Sequence, residues 1–594
     1  MKLIKTAAAV VNQTPLAWET NKQNIVAAIH DAQSQNVSIL CFPELCISGY
    51  GCEDAFLSAG LQKTALEILF EIIPETSNMV VTLGLPLEYR GVLFNAVAIV
   101  ADGKLIGFVP KQNLAGDGIH YEPRWFEAWP ANHQTTIEVD GTNYPLGDLI
   151  FQFDGVLIGL EICEDAWVAT RPGIQQAKRA VDIILNPSAS HFAFDKQTVR
   201  QRFVLEGSRA FHASYVYANL LGNESGRAIY DGGAMIASAG KMLASGPRFS
   251  FADHHVISAV IDVDLTRMNR ARSEAFQLDY QFDDSSVIRG EFTFPQIHPE
   301  ESTVEVDSWE TGNDLKEEEF SRAVSLALFD YLRKSYSRGF VISLSGGADS
   351  AAVATLCSFA LRFAMAELGP EKFTKKLHYI ASINQQSTED EIAAQLITCA
   401  YQATRNSSDT TFEAAMSIAD AIHAEFHRFD VDALVEGYLS LGEQALARPL
   451  NWQQDDIALQ NIQARTRAPS VWLLANCKGA LLLSTSNRSE AAVGYATMDG
   501  DTCGGVSPVA GIDKAFLRKW LCWVEATGPE TFGPVPALHA INVQAPTAEL
   551  RPQDSNQTDE DDLMPYELLD AIERAAIRDK QVPLEVLQRM TVQF

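Results

Sequence analysis

Basic residues are scarce in this sequence. It carries 46 Lys and Arg against 76 Asp and Glu, a formal charge of -30 over 594 residues. Binders of duplex DNA, RNA or anionic membranes need a basic face, and a field of this sign opposes all three. Cysteine is sparse and unpatterned, with nine residues at irregular spacing. That usage suits a reducing compartment better than a disulfide framework. The histidines are scattered, and His254-His255 has no partner at metal-ligand spacing, which argues against structural zinc. No apolar run reaches the ~18 residues that argue a membrane span. The N-terminal MKLIKTAAAVVNQTP is broken by Lys5, lacks an export-type cleavage context and reads as a buried first strand. The expected address is cytoplasmic, with neither nucleic acid nor membrane as partner. Internal repeats and low-complexity tracts are also missing.

What is present is a soluble globular composition, 47% hydrophobic and 21% charged. A single core stops growing at roughly 250–300 residues, so two large domains are expected. Through about residue 290, short apolar strands such as VSILCFPEL, MVVTLGLPL, GVLIGLEICE and VDIILNPSAS alternate with helical stretches such as NKQNIVAAIHDAQSQ, the pattern of an α/β layered domain. PEESTVEVDSWETGNDLKEEE then turns acidic and poor in aliphatics, as a solvated linker does. The expected domains are therefore 1–290 and 320–594, joined by an acidic linker over 291–319. In the second, FVISL, LITCAYQAT and ALLLSTS read as buried parallel strands, each followed by a helix. A doubly wound sheet of this kind binds ligands at the carboxyl ends of its strands.

FVISL runs straight into Ser345-Gly346-Gly347-Ala348-Asp349-Ser350 and a helix. Two glycines let the backbone turn tightly and aim N–H groups at an anion, the helix N-terminus adds partial positive charge, and two serines add hydroxyls. The lysine of a Walker A loop is missing. Asp349 would repel a phosphate unless a divalent cation lay between them, and Mg²⁺ suits oxygen-only ligands. A Gly-Gly turn with an ordinary helix cap is the plainer alternative. The segment resembles the pyrophosphatase loop of enzymes that split ATP into AMP and pyrophosphate. NIQARTR (461–467), STSNRSEAAVGYATMDGDTCGG (484–505) and PTAELRPQDSNQTDEDDLMPY (546–566) resemble the NAD synthetases specifically, and in the same order.

The resemblance implies ATP contacts from Ser343, Leu344, Ser345, Gly346, Gly347, Ala348, Asp349, Ser350, Arg465, Thr485 and Lys514. It places Asn461, Glu490 and Asp501 on the side of deamido-NAD (nicotinate adenine dinucleotide), and Mg²⁺ on Asp349 and Glu490. It implies no tightly bound organic cofactor.

An enzyme that activates a carboxylate still needs an amine. The first half offers three residues at strand ends: Glu44 in CFPELCISGY, Lys111 in FVPKQNLAGDG and Cys163 in GLEICEDAW. A thiolate attacks an amide carbon well once a nearby cation lowers its pKa, which Lys111 is expected to do while stabilising the tetrahedral oxyanion. Glu44 can take the thiol proton, pass it to leaving ammonia and activate the hydrolytic water. These three resemble the Glu-Lys-Cys triad of the nitrilase superfamily. Glu122 in YEPRWF falls where that family has a second glutamate that positions the lysine. Ser190 and Lys196 match glutamine-holding residues of glutamine-dependent NAD synthetases. Those bacterial relatives carry a glutamine-contacting tyrosine soon after the lysine. Here Asp117, His120 and Tyr121 share that stretch, and Tyr121 is the expected contact.

The resemblance implies an α/β protein: a nitrilase-like α-β-β-α sandwich, then a Rossmann-like sheet of the adenine nucleotide alpha hydrolase type. It also implies amidation of deamido-NAD to NAD, with glutamine as nitrogen donor and ATP as activator, in a dimer-based homo-oligomer for which octamers are known. The alternative is a nitrilase-type amidase whose second half is only a regulatory nucleotide-binding module.

Overall fold

The structure is a computed structural model that describes residues 1–280, 286–302, 304, 306–545, 549–552 and 558–594. The chain divides into two compact units, Met1–Asn313 and Asp314–Phe594.

In the first unit an eight-stranded sheet runs in the order His254–Asp262, Leu3–Val11, Ile39–Cys41, Val80–Tyr89, Val92–Ala101, Lys104–Pro110, Thr142–Gly147, Gln134–Val139. A seven-stranded sheet is built around Ser214–Asn219, Ile183–Ser188 and Val156–Leu160, and Ser214–Asn219 packs against Leu3–Val11 of the first sheet. Helices Trp18–Ser34 and Ala59–Ile72 cover one outer face, while Pro172–Lys178 and Lys196–Ala210 cover the other, giving an α-β-β-α sandwich. Strands covered on both faces read as nearly unbroken apolar runs, which is why the central ones stand out in the sequence. Helix Trp18–Ser34 buries Ile25, Ala28, Ile29 and Ala32, spaced three or four apart on one stripe. Gln134–Val139 and Thr142–Gly147, at the sheet's edge, are partly exposed and interrupted by polar residues, so they carry no such run.

This layering gathers several strand ends. Glu44 follows Ile39–Cys41, Lys111 follows Lys104–Pro110, Cys163 follows Val156–Leu160, and Ala189 and Ser190 follow Ile183–Ser188. The turn that carries Glu44 lies against Gly84, where a Cβ would come within 2.3 Å of the Leu45 nitrogen; only glycine permits that approach.

The second unit has a four-stranded, wholly parallel sheet in the order Glu425–Asp430, Ile397–Ala403, Phe340–Ser343, Leu481–Leu483. Strand order reverses between Phe340–Ser343 and Leu481–Leu483, so the loops that leave these two strands flank a natural ligand crevice. The edge strand EFHRFD is too polar to announce itself. Ala348–Lys376 is long and apolar enough to cross a membrane by length and composition, contrary to the expectation that no such run exists. Its most apolar stretch is 78% buried inside the unit, and the helix breaks at Gly369-Pro370.

The acidic stretch expected as a solvated linker is partly built into structure. Trp309 is buried, Glu310 pairs with Arg248 at 3.2 Å, and Glu300 pairs with Lys5 at 2.9 Å, all within the first unit. Glu317, Glu318 and Glu319 are buried in helix Leu315–Lys334. Glu318 accepts from Arg322 at 3.0 Å and from the Glu530 amide at 2.6 Å, and partners of this kind make such burial tolerable. Thr303 and Glu305 lie outside the described residues.

Two candidate active sites

In the first unit, Lys111 is fully buried between two carboxylates. Its Nζ donates to Glu44 Oε1 at 2.5 Å and to Glu122 Oε1 at 2.8 Å. Glu44 also accepts from Asn95 Nδ2 at 2.7 Å and from the Ala189 amide at 3.1 Å. Glu122 accepts from the Ala115 amide at 3.0 Å and from Tyr50 Oη at 2.6 Å. Buried charges persist only when paired and hydrogen-bonded, and each carboxylate here meets that condition. Burial alone would discharge Lys111, but Glu122 and Glu44 outweigh it and hold the ammonium well above the usual lysine range. Burial pushes Glu44 up to about 7, against the pull of Lys111.

Cys163 opens a short turn of helix, Cys163–Ala166, directly after its strand. Its backbone is left-handed, φ +45, a conformation that costs a non-glycine residue of order 1–3 kcal/mol and that concentrates at functional sites. Asp165 Oδ2 accepts from the Ile162 amide at 2.9 Å and pins the turn. Lys111 does pull the thiol pKa down, as expected, but burial and the Glu44 charge outweigh it and drive the thiol well above its ordinary value. The resting group is therefore a thiol, which needs a base as it reacts.

Ser190 is buried, and its hydroxyl accepts from Arg200 Nε at 3.2 Å. Lys196 opens helix Lys196–Ala210 with Nζ 5.5 Å from the Trp167 ring, and burial lowers its pKa to about 8. Tyr121 does not face this cluster: it is 50% exposed, with Arg227 over its ring at 5.5 Å. His120 turns inward instead, onto Tyr50 and His191, and Asp117 is exposed. Tyr50, Asn95 and His191 carry no recognisable signal in the sequence, because distant segments bring them in.

In the second unit a cavity of about 560 Å³ opens at the strand-order reversal. Twelve of the expected residues line it: Ser343, Ser345, Gly346, Gly347, Ala348, Asp349, Ser350, Asn461, Thr485, Glu490, Asp501 and Lys514. Gly346 has φ +80, and a Cβ there would meet the Thr411 carbonyl at 2.1 Å, so the loop demands glycine. The serines satisfy one another, with Ser345 and Ser350 hydroxyls 3.1 Å apart and the Gly347 amide donating to Ser345 Oγ at 3.3 Å. Lys514 Nζ pairs with Asp349 and, at 3.3 Å, with Glu490. Asn487 Nδ2 donates to Asp349 at 2.9 Å, and its side-chain oxygen caps the Glu490 amide at 3.0 Å. Burial and Asp349 raise Glu490 to about 8, against the pull of Lys514.

Two of the expected residues do not line the cavity. Leu344 is fully buried in the core, with its amide donating to the Ala400 carbonyl. Arg465 is exposed and bonds the Met498 carbonyl at 3.0 Å. Arg467 lines the cavity in its place, and its buried Nε has no hydrogen-bond partner among the described residues. Helical period does not choose between the two arginines: on helix Asp456–Lys478, Asn461, Ala464, Ala468 and Val471 share the cavity face, and Arg465 and Arg467 flank that stripe on opposite sides. Asp559 and Asp562, from the acidic segment after 546, also line the cavity; 546–548 and 553–557 lie outside the described residues.

Asp349 and Glu490 fit a hard cation: they are oxygen donors that converge on one ammonium, with Asp559 adding further negative charge to the cavity wall. Mg²⁺ is held in just this way, by one or two carboxylates together with substrate phosphates. Among the described residues, no group of three or more His, Cys, Asp or Glu side chains gathers to hold a metal alone.

The first unit thus pairs a buried Glu-Lys-Cys cluster with a nitrilase-type sandwich, and the second pairs a glycine-serine loop with a Rossmann-like crevice. Residues 5–271 match the carbon-nitrogen hydrolase family, and residues 320–593 match the NAD synthase family. A glutamine-dependent NAD(+) synthetase of Oryza sativa subsp. indica is 30% identical, over 96% of this chain and 81% of its own length. The Homo sapiens enzyme of that name is 29% identical, over 94% and 83%. The crystal structure of a glutamine-dependent NAD(+) synthetase from Cytophaga hutchinsonii is 41% identical, with a TM-score of 0.83 over 100% of this chain and 89% of that one. A second, from Acinetobacter baumannii, is 21% identical with a TM-score of 0.68 and supports the fold alone. The chain belongs to the glutamine-dependent NAD(+) synthetases.

The resting thiol yields a prediction about Cys163. Alkylation by iodoacetamide, followed by peptide mass spectrometry, should accelerate as pH rises through about 7, where Glu44 loses its proton and can accept that of the thiol. A profile with no inflection near neutrality would mean that Cys163 ionises without Glu44.

Proposed function

We propose that this chain amidates deamido-NAD to NAD, with nitrogen released from glutamine in the first unit and ATP consumed in the second. The observation that carries the reading is the buried Glu44–Lys111–Glu122 cluster beside a strained cysteine, in a chain whose other unit holds a phosphate-type loop.

Glutamine's side-chain amide meets Cys163 Sγ, whose proton passes to Glu44 as the S–C bond forms. The neighbourhood of Lys111 and the Ala189 amide favours negative charge on the carbonyl oxygen. Glu44 returns the proton to nitrogen, the C–N bond breaks and ammonia leaves a glutamyl thioester. Water, deprotonated by Glu44, then releases glutamate and restores the thiol. Glu122 never touches the amide; it holds Lys111. Ser190 and Lys196 bind the amino-acid end of glutamine, and the exposure of Tyr121 moves that role away from it.

In the second unit the 345–350 loop amides and hydroxyls, with Arg467 and Lys514, bind the ATP phosphates, while Asn461 and Asp501 orient deamido-NAD. The nicotinate carboxylate attacks the α-phosphorus and expels pyrophosphate. Ammonia adds to the acyl-adenylate and AMP departs. A carboxylate is a poor acyl donor and AMP a good leaving group, so adenylation is what makes the amide accessible. Mg²⁺ on Asp349 and Glu490, when bound, would neutralise charge on pyrophosphate. Nine free cysteines support a reducing, cytoplasmic setting, and the charge of -30 speaks against nucleic-acid partners. The exposed side chains of Leu434, Tyr438 and Leu441, at helical spacing on Asp432–Leu446, support a homo-oligomer built on this unit.

The Cys163→Ala variant should lose glutamine-driven NAD synthesis by at least about 1,000-fold yet keep synthesis from ammonium salts. Equal loss of both would break the division of labour. Arg467→Ala should lower kcat/KM for ATP by about 100-fold, whereas Arg465→Ala should stay within about threefold. If the two behave alike, the assignment of Arg467 is wrong. Sedimentation at micromolar concentration should show a dimer or larger; a stable monomer would remove the oligomer from this reading.

A further inference from the structure

The first site holds two histidines to which the triad gives no task. His120 Nδ1 lies 3.0 Å from Tyr50 Oη, and His120 Nε2 lies 2.8 Å from His191 Nδ1. At one end of this chain Tyr50 donates to Glu122 Oε1 at 2.6 Å; at the other Lys196 Nζ stands 3.2 Å from His191 Nδ1. The nearest other charged groups are Lys111 and Glu44 on the triad side, and Arg200 and Asp231 around His191.

Proton counting gives the chain a direction. Tyr50 has one proton, and its short bond to the Glu122 carboxylate takes it, so His120 Nδ1 must donate to Tyr50 Oη. Both rings are neutral near pH 7, because burial, reinforced by Lys196, lowers His120 to about 4 and His191 to about 3. A neutral ring carries one N–H. With that of His120 on Nδ1, its Nε2 is a lone pair and must accept from His191 Nδ1–H. His191 Nδ1 has then given its one proton to His120 and offers no lone pair to Lys196 Nζ, 3.2 Å away, so this ring does not accept the protons of Lys196.

We propose that Tyr50, His120 and His191 form a directed hydrogen-bond relay, holding Glu122 at one end and leaving the protons of Lys196 for the carboxylate of the amide substrate at the other. The inference rests on the glutaminase reading and deepens it: His120 and His191 are positioning residues. Occupation of the carboxylate site and orientation of the Glu122–Lys111 pair then belong to one hydrogen-bonded system.

The test uses the full chain, with glutamine as substrate, and compares His120→Phe with His120→Asn. The asparagine amide nitrogen occupies roughly the place of Nδ1 and restores a donor to Tyr50, but nothing reaches His191. His120→Phe should lower kcat for glutamine hydrolysis by about 10- to 100-fold and raise KM. His120→Asn should recover most of kcat while KM stays several-fold high. A purely structural role would not separate the two parameters. If the variants are indistinguishable, or if either matches wild type in both parameters, the relay is overturned. Wild-type protein that fails to hydrolyse glutamine would overturn the underlying reading, a different outcome from wild-type turnover with identical variants.

Discussion

One ammonium sets the terms for the first site. Lys111 has no exposure to water, and what keeps it charged is the pair of carboxylates on either side of it. Removing the lysine from such a buried triplet leaves two uncompensated carboxylates, and breaking a buried pair in this way costs about 3–5 kcal/mol. Much of the surrounding architecture serves that balance. Gly84 lets the Glu44 turn approach the sheet, Asn95 shares Glu44 Oε1 with Lys111 while the Ala189 amide takes Oε2, and Tyr50 and the Ala115 amide divide the Glu122 oxygens in the same way. The price is a nearby thiol that cannot ionise at rest, and a glutamate pushed toward neutrality is the group able to take its proton.

The second site repeats the same ratio, one ammonium to two carboxylates. Lys514 is shared by Asp349 and Glu490, and negative charge exceeds positive around it. A crevice of that sign does not attract a nucleotide unaided. It suits one that arrives with a cation, while Arg467, half-buried and with its Nε unpartnered among the described residues, supplies a positive group from helix Asp456–Lys478.

Legibility followed chemistry that is local in the chain. The strand ends carrying Glu44, Lys111 and Cys163, and the glycine-serine loop, lie in short contiguous motifs, so residue type and neighbours sufficed. The same held for buried strands with unbroken apolar runs. Polar edge strands such as EFHRFD were hidden, because their side chains face water and their pairing is decided by a neighbour far along the chain. Side-chain direction was the other blind spot. Tyr121 and His120 are adjacent, yet one faces solvent and one the site; Arg465 and Arg467 differ likewise, on opposite flanks of the cavity-facing stripe of one helix. The direction of the Cys163 shift depended on the depth of burial, which no local motif encodes.

The left-handed backbone at Cys163 has a bearing on evolvability. Its torsion belongs to the turn, not to sulfur, so any ordinary side chain placed there inherits the same twist, and glycine alone would relax it. Drift toward greater thermal robustness would therefore favour losing the thiol. Its persistence needs continuous selection for turnover, which makes this position a place where durability and activity trade directly against each other.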